Sequence, residues 1–183
     1  MSRVRLYVAT SLDGFIADRE GSVDWLDQHN PRDYGFDDFF AEVGAVIMGR
    51  RTYEFVRAIG DHWPYSGKRA FVMSSRTLVG VPDGVLPKAG GIGPAIEAAR
   101  AATRKDIWIV GGAVAMQSAL DAGRVDLIET FLVPVLLGRG LPLIADLAHR
   151  QTLSFEGIET FQDGVVKLSY VPQKPSRLGV SGA

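Results

Sequence analysis

Apolar residues fall in short runs of two kinds. In the first kind every position is apolar, as in Ala45 to Met48, Ala70 to Met73 and Ile107 to Val110. Such runs have no polar face and predict strands buried on both sides of a sheet. In the second kind the pattern alternates: Val4, Leu6 and Val8 interleave with Arg5, Tyr7 and Ala9 and predict a first strand. Between the runs the period becomes helical. Phe36, Phe39, Phe40 and Val43 stand at i, i+3, i+4 and i+7 and predict a helix with one apolar face. Thr52 to Ile59 predicts a second helix. Gly93-Pro94 predicts the start of a third, with Pro at the first helical position, and an alanine-rich run carries it to Ala102. A fourth follows Gly111-Gly112 and runs toward Ala122.

The C-terminal third changes character. Leu127 to Leu137 predicts a long apolar strand interrupted by Pro134. Leu153, Phe155 and Ile158 then lead to Asp163-Gly164, a two-residue hairpin signal, after which Val166, Leu168 and Tyr170 alternate with Lys167 and Ser169. The whole predicts an α/β domain. Its central sheet is mixed but mostly parallel, has helices on both faces and ends in an antiparallel hairpin. One domain is expected over residues 1–171, with a mobile tail of Pro, Ser and Gly over 172–183.

Composition narrows the function classes. The 183 residues suffice for one core, and 46% hydrophobic with 22% charged residues is ordinary for a globular chain. A net charge of -1 gives no bulk attraction to nucleic acid. The absence of Cys removes disulfides, thiolate nucleophiles and cysteine metal sites, and fits a cytoplasmic setting. No apolar run is long enough for a membrane span, and no signal pattern opens the chain. His29, His62 and His149 have no metal-ligand spacing and no legible carboxylate partner, so no metal site is expected and all three read as surface or loop residues. Gly91-Ile92-Gly93 follows no apolar strand and precedes Pro94, so it is not a dinucleotide fingerprint.

Candidate chemistry gathers where strands give way to helices. Ile47-Met48-Gly49-Arg50-Arg51-Thr52 joins a strand to a helix N-terminus. There, unpaired N–H groups and a guanidinium suit a phosphate. Ser74-Ser75-Arg76 adds two hydroxyls and a guanidinium beyond another strand, and Val110-Gly111-Gly112-Ala113 allows close backbone approach beyond a third. Each is also a plausible plain turn. In an open α/β sheet all three would lie at the carboxyl edge, where ligands bind. Asp13, Asp37 and Asp38 are candidate proton-relaying carboxylates, with Asp33 and Glu42 flanking. An Asp-Gly turn at Asp13 and an acidic helix start at Asp37-Asp38 explain them equally well without catalysis. Trp25 suits either stacking on a flat heterocycle or core packing.

Taken in order, Ser11-Leu12-Asp13-Gly14-Phe15-Ile16-Ala17, Ile47 to Thr52, Ser74-Ser75-Arg76 and Ile109-Val110-Gly111-Gly112 resemble the dihydrofolate reductase-like superfamily. The chain is most similar to the reductase domain of the riboflavin-biosynthesis deaminase–reductase and its stand-alone relatives, of which Pro134 to Leu143 is also typical. The likeness spans about Val4 to Val171. It implies a three-layer fold, a homodimer, and NADPH-dependent reduction of a C=N or C=O bond in a small pyrimidine- or pterin-like substrate. It places Gly49, Arg50, Arg51 and Thr52 on phosphates or ribose, and Ser74, Ser75 and Arg76 around the adenosine ribose phosphate. Val110, Gly111, Gly112, Ala113 and Val114 would meet the pyrophosphate and nicotinamide ribose, and Ala9, Ile16 and Ala17 the nicotinamide. The substrate would lie near Asp13, Trp25 and the Phe36–Val43 helix, Phe40 included. Two departures count against a phosphoribosyl substrate: Tyr7 and Phe15 stand where riboflavin-pathway reductases commonly carry basic residues. A folate reductase proper and a non-catalytic relative with the same fold are the alternatives.

Overall fold

The alternation in β1 (Val4–Ser11) sorts its side chains onto two faces, and both faces are covered. The computed structural model describes residues 2–29, 33–60 and 62–173. After β1 come β2 (Phe15–Ala17), a short turn of 3-10 helix at Asp24–Leu26, α1 (Phe36–Glu42), β3 (Val43–Gly49), α2 (Arg50–Ile59), β4 (Arg69–Met73) and β5 (Val85–Lys88). Then follow α3 (Ile92–Ala102), β6 (Asp106–Gly111), α4 (Ala113–Asp121), β7 (Leu127–Val133), β8 (Leu141–Pro142), β9 (Leu153–Thr160) and β10 (Val166–Pro172). The main sheet has eight strands in the order β5-β4-β3-β6-β1-β7-β10-β9, and β2 pairs with β8 apart from it. Every pair from β5 across to β7 is parallel, and β10 runs antiparallel to both β7 and β9.

On one face Val4, Leu6, Ala45, Ile47, Ile107 and Ile109 pack beneath Ile96 and Ala99 of α3 and Met116 and Ala119 of α4. On the other, Val46, Met48, Val72 and Trp108 pack beneath Phe39 of α1 and Tyr53 of α2. This two-sided burial is why the central strands carry no polar alternation. Arg5, only 4% exposed, lies on the α1 face. Its guanidinium is 2.6 Å from Glu129, 3.2 Å from Asp106, also paired with Glu42, and 4.6 Å above the Phe39 ring. These partners compensate a charge that would otherwise be costly to bury, and they fix the C-terminal end of α1 to β1, β6 and β7.

Several boundaries differ from the sequence pattern. β7 stops at Val133 because Pro134 has no N–H for a ladder, and the apolar residues beyond it turn into a loop. The helix expected from Gly93 starts at Ile92, so Pro94 is its third residue, still within the first turn. In the C-terminal hairpin, Phe161 N–H donates to the Val165 carbonyl at 2.9 Å, which leaves a three-residue turn rather than two, with Gly164 at φ 86°. β10 reaches Pro172 and takes in the first residue of the expected tail, whose residues 174–183 lie outside those described. β5, with Pro87 and Lys88 at the sheet edge, carried no legible strand pattern. No described helix is long and apolar enough to cross a membrane.

Candidate functional site

Because β1, β3, β4, β6 and β7 are parallel, their carboxyl ends share one edge, and α2 and α4 begin there. Gly49 precedes α2 and Gly112 precedes α4, and neither helix start is capped by a side chain. Both therefore present first-turn N–H groups and the positive end of a helix dipole to the edge. The three sequence clusters meet here. Arg50 Nη1 lies 3.5 Å from Ser74 Oγ while its Nε donates to Glu54 at 2.7 Å. A Cβ on Gly112 would stand 3.2 Å from Thr52 Oγ1, and one on Gly49 would stand 4.0 Å from the Gly112 nitrogen. Glycine at 112 thus keeps the backbone close to Thr52. The Ser74 hydroxyl accepts from Arg76 N–H at 3.1 Å and donates to the Arg76 carbonyl at 2.9 Å, so it shapes the turn that leaves Ser75 and Arg76 exposed. Arg51 is exposed as well, Val110 and Ala113 are half-buried, and Val114 at 77% exposure flanks the opening of α4.

Beside this edge, on the α1 face, is a cavity of about 500 Å³. Tyr7, Phe36 and Phe131 supply aromatic walls, and Ala9, Leu26, Val133 and Val165 supply aliphatic ones. The polar side is made by His29, Asp33, Tyr34 and Asp37. Tyr7 stacks on Phe39 at 3.8 Å and its hydroxyl donates to the Tyr34 carbonyl at 3.3 Å. Burial and the nearby Glu129 raise the phenol well above its ordinary range, so it stays protonated.

The other candidates occupy distinct positions. Ala9 lines the cavity at its strand-end side, while Ile16 and Ala17 lie on β2, paired with β8. Asp37 lines the cavity and is exposed, and Asp38 is exposed on the same helix. Asp33 holds the turn that leads into α1, accepting from Gly35 N–H at 2.7 Å and Phe36 N–H at 3.1 Å. Asp13 accepts from the Ser11 hydroxyl at 2.6 Å, Gly138 N–H at 2.6 Å and Leu137 N–H at 3.1 Å. The Ser11 hydroxyl, helped by the two N–H groups, holds its carboxyl below the usual range. Asp13 therefore clamps two loops together. Trp25 packs with Phe131, Val133 and Val165, and its indole nitrogen is buried with no partner among the described residues. Phe40 stacks on Phe36 and lies under Lys68 Nζ at 3.8 Å, on the side of α1 that faces Tyr65.

One cluster was not legible. His29 is 8% exposed, not a surface residue, and it does have a carboxylate partner: its Nδ1 lies 2.9 Å from Asp163. Tyr34 hydroxyl donates to the same carboxylate oxygen and stands 3.4 Å from His29 Nδ1. Those two hydrogen bonds, Tyr34 first, hold the Asp163 carboxyl well below its ordinary range. The partners are 134 residues apart, so only the hairpin of β9 and β10 could bring them together.

Comparison with known proteins bears on the fold that carries these residues. The model of the RibD C-terminal domain matches residues 92–167. YwjB, an uncharacterised Bacillus subtilis protein, is 36% identical over 174 residues, covering 91% of this chain and 95% of its own. A crystal structure from Shewanella sp. PV-4, provisionally named a riboflavin biosynthesis protein, has a TM-score of 0.82 at 31% identity, over 95% of this chain and 100% of that one. The diaminohydroxyphosphoribosylaminopyrimidine deaminase/5-amino-6-(5-phosphoribosylamino)uracil reductase of Thermotoga maritima shares the fold, with a TM-score of 0.65 at 18% identity over 94% of this chain and 57% of that one. The parallel sheet with its glycine-marked carboxyl edge and antiparallel end is thus a dihydrofolate reductase-like fold. Within that class, the chain belongs to the family of the RibD C-terminal domain.

Proposed function

We propose that this protein is an NADPH-dependent reductase acting on a flat nitrogen heterocycle, and that it works as a homodimer. The observation that carries the reading is the convergence of three phosphate-suited groups on one edge. These are the uncapped start of α2 with Arg50 and Arg51, the uncapped start of α4 behind Gly111-Gly112, and the Ser75-Arg76 turn tied to Arg50 through Ser74. Donors of this kind fit an extended dinucleotide with several anionic groups. The backbone at Gly112, where a side chain would crowd Thr52, fits a ligand lying against the main chain. Arg76 and Ser75 would hold the 2′-phosphate that separates NADPH from NADH. Bound there, the cofactor supplies the hydride.

The chain's own contribution is orientation and exclusion of water. Ala9, two residues before the carboxyl end of β1, lines the cavity, and the resemblance sets it against the nicotinamide, so a ring held by the cavity walls would meet the cofactor there. The aromatic walls, with Tyr7 tilted against both Phe36 and Phe131, offer ring faces and edges to a flat ring, and the polar side suits its nitrogen-bearing edge. Tyr7 and Phe15, neither of them basic, favour a substrate without a ribosyl phosphate. Dimerisation is supported by β9. This edge strand exposes Phe155 and Ile158 at 58% each, together with Leu153.

The test is turnover. Purified protein is expected to consume NADPH with 6-methyl-7,8-dihydropterin as acceptor faster than with dihydrofolate or a phosphoribosylaminopyrimidine. Failure to bind NADPH or NADH at millimolar concentration would remove the reductase reading and the folate reductase alternative together.

A further inference from the structure

The cavity carries a titratable pair that the cofactor groove does not use. His29 forms part of the polar side, and its Nδ1 is 2.9 Å from Asp163. A carboxylate only accepts hydrogen bonds, so Nδ1 carries the proton of that contact and Nε2 is the nitrogen left for other partners. Nε2 accepts from the side-chain amide nitrogen of Gln28 at 3.2 Å; Gln28 is exposed, and it turns its amide oxygen to the ring or swings into solvent when Nε2 carries a proton. Tyr34 gives its hydroxyl hydrogen to Asp163 and packs edge-on against Phe161 at 4.9 Å, which fixes the carboxylate as the carboxylate fixes the ring. Among the described residues, the other titratable groups facing the cavity are Tyr7 from β1, Asp33 from the loop before α1 and Asp37 from α1. Asp33 is committed to two backbone N–H groups and Asp37 is exposed. Among these groups, the buried, carboxylate-oriented imidazole is best placed to hand over a proton.

Building on the reductase reading above, we propose that His29 is the proton donor of this cavity and that Asp163 and Tyr34 are its positioning residues. Bound NADPH would supply a hydride, with its electron pair, to the substrate carbon of the C=N bond. The π pair moves to nitrogen, which takes the proton from Nε2 of the protonated ring. The reduced heterocycle and neutral His29 would remain, with the cofactor oxidised, and a proton taken up from solvent would return His29 to its charged form. Throughout, Asp163 keeps the ring orientation and faces the positive charge.

Two readouts test this independently of cofactor loading and of turnover. In the apoprotein labelled with ¹⁵N-histidine, adding 6-methyl-7,8-dihydropterin is expected to shift the His29 ring nitrogens. Asp163→Asn is expected to alter the tautomer seen before addition. With NADPH and the same probe, His29→Gln is expected to lower kcat by roughly 10²- to 10⁴-fold with little change in KM and to abolish the alkaline fall in rate. Tyr34→Phe keeps the ring packing, and it is expected to lower kcat several-fold while retaining that fall. NADPH binding, followed by tryptophan fluorescence, should be unchanged in all three variants, and its absence in the wild type would count against the reductase reading instead. The proposal is overturned if the probe leaves the His29 resonances unmoved. It is equally overturned if His29→Gln, folded by its amide spectrum, keeps the wild-type kcat and alkaline limb.

Discussion

Asp13 spends its two carboxylate oxygens on Ser11, Leu137 and Gly138, which ties the loop after β1 to the loop after β7. The sign of its pH effect follows from those bonds. The native carboxyl is lowered, so the unfolded chain binds more protons in the acid range, and the clamp's contribution is complete above the ordinary aspartate range, at about pH 4. It fades as pH falls through the lowered native value. Amide exchange should therefore show Leu137 and Gly138 protected down to about pH 4 and released only in stronger acid, as the Asp13 carboxylate takes up its proton. Asp13→Asn should release them at all pH values without changing the shape of the pH–rate profile. From the sequence, Asp13 was equally a turn residue or a catalytic acid, and only its partners more than 120 residues away distinguish the two. His29 was harder still, because a lone histidine gives no sign of a carboxylate that a distant hairpin supplies. Gly49, Thr52, Gly112 and Arg76 were legible because strand-to-helix junctions announce themselves locally through apolar runs ending in Gly and Arg.

At the scale of elements, the central strands were legible as pure apolar runs, since burial on two faces leaves no polar position, and α1 as a stripe of helical period, while α3 and α4 were announced by the Gly93-Pro94 start and the Gly111-Gly112 pair. β2, β5 and β8 were not, being short or lying at an edge, where partners rather than side-chain pattern decide pairing. The β2–β8 ribbon depends on Gly140, since a Cβ there would stand 2.1 Å from the Ala17 carbonyl oxygen. That atom is backbone and cannot swing aside. Gly140→Ala is expected to cost about 1–3 kcal/mol in urea unfolding. It should also weaken NADPH binding, because β2 carries Ile16 and Ala17, the residues that the resemblance sets against the nicotinamide.

For the whole molecule, two surfaces make separate claims. The exposed Leu153, Phe155 and Ile158 of β9 predict self-association, so light scattering should give a dimer mass for the wild type. Phe155→Glu with Ile158→Glu should give a monomer that still binds NADPH. The carboxyl edge of the sheet makes the central claim, and calorimetric titration with NADPH and NADH, on the wild type and on Arg76→Ala, tests it most directly. The account predicts clear preference for NADPH in the wild type. In the variant, NADPH affinity should fall roughly ten- to a hundredfold, as expected for a lost charge-assisted phosphate contact, while NADH affinity stays nearly unchanged. Equal affinity for the two nucleotides, or the same loss for both on removing Arg76, would contradict it.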